Sequence, residues 1–245
     1  MIKILLASKE NRNGDIEYNK NVITETMINH SKEADIIVFG EAFLQGFYAL
    51  TFDCQQDMNV AVEIDNGVVK EICQVAKTHH IGVSFGFVEK DGENIYSSQI
   101  TIGKDGNIVD VYRRVSVGWK EEYAGGNYRE GDGFHAFEFM GKRVVVGLCG
   151  DLWYDENIDK VNACCPDVVF WPVYTDFNSH KWNTTEKYEY AEQAGKLFSK
   201  VLYVNSVCTD IEGDEIAKGG SALFENGKII KETPSGKEST LLVEI

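Results

Sequence analysis

The chain is short of positive charge, short of proline and without a long apolar run, and each shortage excludes something. Lys and Arg number 24 against 39 Asp and Glu, a formal charge of −15. Nucleic acid and anionic membrane surfaces are bound through a basic footprint, so neither is expected as a partner. No stretch approaches the ~18 uninterrupted apolar residues of a membrane-spanning helix. The start, MIKILLASKENRNGD, passes from a short apolar run straight into charge. It lacks the apolar core and cleavage pattern of a signal peptide, so a cytoplasmic chain with reduced cysteines is expected. Among the six cysteines there is no C-x-x-C pair. The adjacent Cys164 and Cys165 do not have the spacing with which two thiolates share one zinc, so no structural metal is expected.

What is present is an ordinary globular composition, 43% hydrophobic and 26% charged over 245 residues, which excludes disordered, collagen-like and coiled-coil classes. Short apolar runs alternate with longer helical patterns. Strands are read at Ile2–Ala7, Asp35–Phe39, Ile81–Val88, 95–102, 107–113, Arg143–Leu148, Asp167–Trp171 and Leu202–Val207. Helices are read at 17–31, 65–78, 155–163 and 179–200, the last with Ala191, Ala194, Leu197 and Phe198 on one face. GKDGN and ENGK mark hairpin turns, the second between strands at 219–224 and 228–232. No Pro/Gly/Ser linker separates the halves, which favours an α/β fold with helices on the sheet faces. The three prolines, at 166, 172 and 234, suit turns or strand ends.

Functional residues of open α/β folds gather in the loops just past strand ends. Glu41 follows one strand, in FGEAFLQGF. Cys149 follows another, in GLCGDLWYDE. Between them VYRRVSVGWKEEYAGG leads from a hairpin strand into a charged loop. Each has a plain structural alternative: Glu41 as a helix cap, Cys149 as a small buried hydrophobe, the charged loop as a solvated face. Together they offer a thiol with a carboxylate and a cation, the company a nucleophilic cysteine needs. Glycines on both sides of Cys149 allow close backbone approach, and the Gly150 N–H is suited to stabilising an oxyanion. No histidine is an evident partner for the thiol.

In this order and spacing the residues resemble the nitrilase superfamily, the carbon–nitrogen hydrolases, whose triad is Glu, Lys and Cys in chain order. Glu41 matches the glutamate motif. Cys149, with Asp151 and Trp153 downstream, matches the cysteine motif. Ile95-Tyr96-Ser97-Ser98 and KDGNIVDVYRR resemble the approach to the lysine motif, and DVVFWP, HKWNTTEKYEYAEQAG, VLYVNSV and KGGSALFENGKII resemble later family segments. The resemblance implies one catalytic domain over residues 1–245, a four-layer αββα sandwich and a homodimer formed through the helices flanking the sheets.

The resemblance also implies two-step acyl transfer on a small amide or N-carbamoyl amine, without metal or organic cofactor. Glu41 would be the general base and Cys149 the nucleophile. Where the family has its lysine this chain has Arg114, a wider, planar and permanently charged group. Arg114 filling that role, Lys120 reaching in from the loop instead, and loss of turnover are the alternatives. Glu122 falls where many members carry a second glutamate. Phe47, Tyr48, Trp153 and Tyr174 follow the motif residues into loops and are candidate pocket walls. A ligand- or partner-binding protein without activity, and a nitrilase acting on a nitrile, are the competing functions.

Overall fold

A strand that is apolar at every position needs cover on both faces, and two packed sheets with outer helices provide it. The computed structural model describes residues 1–213 and 216–245. The first half contains β1 (Lys3–Ser8), β2 (Glu10–Asn11), α1 (Ile16–His30), β3 (Ile36–Val38), α2 (Cys54–Asp57) and α3 (Gly67–His79). It continues with β4 (Gly82–Asp91), β5 (Asn94–Ile102) and β6 (Ile108–Arg113). The second half holds β7 (Ala136–Phe139), β8 (Lys142–Val146), α4 (Asp155–Ala163), β9 (Val168–Val173), α5 (Ser179–Lys181) and α6 (Lys187–Ala194). It closes with β10 (Lys200–Asn205), β11 (Val207–Cys208), β12 (Ser221–Glu225), β13 (Lys228–Thr233) and β14 (Ser239–Glu244).

One six-stranded sheet runs β14-β1-β3-β4-β5-β6 and the other β13-β12-β10-β9-β8-β7, while β2 and β11 pair as a small ribbon. The central pairs β1–β3, β3–β4, β8–β9 and β9–β10 are parallel. Alternation along each central strand assigns its two faces. In β1, Ile4 and Leu6 face the layer between the sheets, and Leu5 and Ala7 pack with Ile23 and Met27 of α1 and Ile72 of α3. In β10, Leu202 and Val204 enter the inter-sheet layer, and Val201 and Tyr203 pack with Ile158 of α4 and Ala191 of α6. The result is the αββα sandwich. No helix among the described residues is long and apolar enough to cross a membrane.

Within the two six-stranded sheets, two strands escape the sequence reading, β7 and β14. The second pairs antiparallel with β1 from Lys3↔Glu244 to Ser8↔Ser239, closing the sheet edge with the chain's far end. The helix expected over 179–200 is instead α5, a π-helical turn at Trp182–Glu186, and α6, ending at Ala194. The reason is tertiary. At Gly195 an added Cβ would stand 2.7 Å from Gly227 Cα in the β12–β13 turn, so two backbones meet where the helix would continue. Phe198, expected on the buried face, lies beyond that stop and is 90% exposed.

Candidate active site

Glu41 follows Phe39, whose amide bonds to the Ser84 carbonyl at 2.8 Å alongside β4. Its own amide donates to the Val173 carbonyl at the end of β9 at 3.2 Å, so one residue is pinned between the two sheets. Gly86 makes room for it: a Cβ there would stand 2.7 Å from Glu41 Cα. The Glu41 side chain is fully buried. Oε1 accepts from Arg114 Nη1 at 2.8 Å and from Ser97 Oγ at 3.1 Å. Oε2 is buried and has no hydrogen-bond partner among the described residues.

Arg114 stands at the end of β6, its amide bound to the Ser97 carbonyl at 2.9 Å and its carbonyl to the Gly131 amide at 2.8 Å. Its Nε donates to Ser116 Oγ at 2.8 Å, and the residue is only 3% exposed. Burial works against the guanidinium charge, but Glu41, Cys149 and Asp151 together hold its pKa above the ordinary value.

Cys149 follows β8 with φ 44, a left-handed conformation that costs a non-glycine residue energy. Two contacts hold it there. Trp171 Nε1 donates to its carbonyl at 2.8 Å, and its thiol points to the Tyr174 carbonyl at 3.7 Å. The thiol pKa is pushed up to about 12, first by burial and then by the negative charge of Glu41, against the opposing pull of Arg114. Since the Glu41–Arg114 pair is already neutral, a thiolate would add an uncompensated charge. The Cys149 side chain therefore rests as a thiol at neutral pH.

Asp151, two residues on, is buried. Its Oδ1 accepts the amides of Val115 at 3.2 Å and Ser116 at 2.7 Å. Its Oδ2 accepts the Leu148 amide at 3.0 Å and the Tyr112 hydroxyl at 2.6 Å. It ties the arginine turn to the cysteine turn. Burial raises its pKa, against the Tyr112 bond and the Arg114 charge.

A buried carboxylate, a cation and a thiol are thus brought together from three strand ends. The family model for carbon–nitrogen hydrolase matches residues 6–245. The chain belongs to the carbon–nitrogen hydrolase family. Within it the chain is an amidase-like C–N hydrolase, similar at 23% identity over 231 residues to an (R)-stereoselective amidase of a Pseudomonas species, covering 94% of this chain and 80% of that one. It is 25% identical over 187 residues to a citrullinase of Francisella tularensis, covering 65% of this chain and 64% of that one. A solved amidase from Nesterenkonia sp. shares the fold at TM-score 0.81 and 16% identity, over 100% of this chain and 90% of that chain.

Not every residue expected at this hydrolase's site is brought to it. Lys120, the alternative cation, is turned away: its ammonium donates to the Tyr128 carbonyl at 2.6 Å and pairs with Glu130 at 2.6 Å. The loop folds back on itself through these contacts. Glu122 is exposed in the same loop, outside the cluster. Gly150 adjoins the cluster, as Arg114 Nη2 is 2.7 Å from the point where its Cβ would be. Phe47 stacks on Tyr174 at 4.5 Å with an 8° tilt, and Tyr48 meets Tyr174 edge-on at 5.5 Å. Trp153, 40% exposed, sits edge-on to Tyr190 at 4.8 Å.

The sequence reading passed over Ser97, Ser116, Tyr112 and Tyr190. Burial raises the Tyr190 phenol's pKa, with the charge of Cys149 next in importance. Ser97 stands among several polar residues of β5, with Ser98, Gln99 and Thr101, so nothing in the sequence sets it apart. Among the described residues no group of three or more His, Cys, Asp or Glu is arranged to hold a metal ion.

Proposed function

We propose that the chain hydrolyses the C–N bond of a small amide or N-carbamoyl amine through a thioester on Cys149. The observation that carries this reading is the unequal use of the Glu41 oxygens. Oε1 is occupied by Arg114 and Ser97, while Oε2 is buried and unpartnered beside a thiol that holds its proton at neutral pH. An acceptor with no other occupant is what a general base in a dry site requires.

In the proposed sequence Glu41 takes the Cys149 proton as sulfur attacks the carbonyl carbon. The C=O electron pair moves to oxygen, and the oxyanion is stabilised by the Arg114 charge and the Gly150 N–H. Collapse breaks the C–N bond, and Glu41 returns the proton to the leaving nitrogen, releasing ammonia or an amine. Water, deprotonated by Glu41, then attacks the thioester, and the departing sulfur recovers its proton as the acid is released.

Two comparisons support the amide and carbamoyl class. Curated relatives include the amidase and citrullinase already named and an N-carbamoylputrescine amidase of Solanum lycopersicum, 25% identical over 150 residues, covering 59% of this chain and 49% of that one. A variant of the Nesterenkonia amidase carries a Michael adduct of acrylamide at its active-site cysteine. The chain spans less than two thirds of the citrullinase and the carbamoylputrescine amidase.

The test is ammonia release from a panel of small amides, N-carbamoyl amines and one nitrile, with native protein and Cys149→Ala. Native turnover of an amide or carbamoyl compound, abolished in a Cys149→Ala protein that melts within a few degrees of native, is expected. Turnover of the nitrile alone, or undiminished turnover in Cys149→Ala, would overturn the reading.

A further inference from the structure

An arginine in a site that resembles one built for lysine needs extra room, and the structure shows where that room lies. Nη2 of Arg114 is 2.7 Å from the position a Cβ would take on residue 150, with Ser116 Oγ at 3.2 Å and Arg114 Cζ at 3.7 Å. The guanidinium thus fills the space of the side chain that residue 150 lacks. Gly150 is absent from the positive-φ glycines, whereas its neighbour Cys149 adopts φ 44 without being glycine. Backbone conformation does not call for glycine at 150, and the close approach of Arg114 does.

The three guanidinium nitrogens have separate situations. Nε is held by Ser116 and Nη1 by Glu41. Nη2 lies against residue 150, next in the chain to the nucleophile. A lysine ammonium has a single nitrogen and cannot bind Ser116 and Glu41 in this planar arrangement while presenting a further edge.

We propose that Gly150 and Arg114 form a size-matched pair in which Gly150 is a positioning residue that admits the guanidinium and sets its Nη2 edge beside Cys149. The pair rests on, and deepens, the reading of Arg114 as the oxyanion's cation. A side chain at 150 pushes the guanidinium off Glu41 and Ser116. With Arg114→Lys the Nη2 contact is gone, and the same side chain has only Ser116 Oγ at 3.2 Å to displace by a few tenths of an ångström.

The experiment is a double-mutant cycle of native protein, Gly150→Ala, Arg114→Lys and the double variant. It follows melting temperature, the pH-dependent rate of iodoacetamide modification of Cys149 by peptide mass spectrometry, and turnover of the best amide. The expected result is strong coupling. Gly150→Ala in the native background lowers the melting temperature and changes the Cys149 modification rate by about tenfold, and in the Arg114→Lys background the same substitution changes it by less than about threefold. If Gly150→Ala does not fold, recovery of a folded protein in the double variant supports the pair, and failure to recover it overturns the pair.

Equal effects of Gly150→Ala in both backgrounds, or none in either, also overturn it. The two readings fail separately. Coupling in melting temperature and thiol modification without turnover of any amide keeps the pair and removes the hydrolase reading. Full amide turnover with an additive cycle removes the pair alone.

Discussion

Asp151 accepts the backbone N–H of Ser116 at 2.7 Å, so the turn bearing Cys149 also holds the turn bearing Arg114. With Leu148 and Tyr112 on its second oxygen, the carboxylate is surrounded by donors. Asp151→Asn turns an amide N–H₂ toward at least one of them. The expected outcome is a loss of about 1–3 kcal/mol in urea unfolding. Because Arg114 is displaced, kcat falls as well. Tyr112→Phe removes one donor and is expected to be milder, at about 1 kcal/mol.

Glu41→Gln keeps the shape of the side chain and removes the base. We expect kcat to fall by about 10² to 10⁴-fold, with far less change in KM. Arg114 is left as a buried cation without its carboxylate, so the melting temperature falls too. Steady-state kinetics and thermal melts on the same preparation check both effects.

The resting thiol sets a pH signature. With its pKa pushed up to about 12, the iodoacetamide rate at Cys149 should keep rising from pH 7 to pH 10 instead of levelling off near the ordinary thiol value. Removing the Glu41 charge takes away one of the causes that raise the pKa, so Glu41→Gln moves the profile to lower pH. Arg114→Met removes the larger of the two causes that lower it, the other being the Tyr174 carbonyl contact, and moves the profile to higher pH. Shifts of the opposite sign would refute the electrostatic account of the site.

Arg114 and Lys120 make different predictions although both are cations in one motif. Arg114→Met is expected to abolish measurable turnover, because it removes the charge held at 2.8 Å from Glu41. Lys120→Met loses the bonds to Tyr128 and Glu130 and is expected to change kcat by less than about threefold while lowering the melting temperature, an exposed or partly exposed ion pair contributing about 1 kcal/mol or less. A reversed ranking assigns the cation to Lys120.

Much of this was legible in the sequence because burial on both faces leaves a strong trace. The runs at Ile2–Ala7 and Leu202–Val207 read as strands without a clear alternation to guide them. Glu41 and Cys149 were legible as residues just past strand ends, and the structure brings Arg114 to Glu41. What was hidden depends on contacts between distant segments. β14 is recognisable only as the partner of β1, more than 230 positions away. The helix after Ser179 stops at Gly195 because another backbone, at Gly227, stands in its path. Lys120 and Arg114 carry the same charge, and only the folding of the loop separates them. Ser97 and Ser116 are ordinary serines until Glu41 and Arg114 are set beside them.

The most direct test of the account is to quench native protein in acid during turnover of its best amide and measure its intact mass. The account predicts a fraction of the protein heavier by the acyl group, the added mass localised to the Cys149 peptide and absent in Cys149→Ala. Sustained amide turnover with no acyl group on Cys149, retained at the native rate in Cys149→Ala, would contradict it.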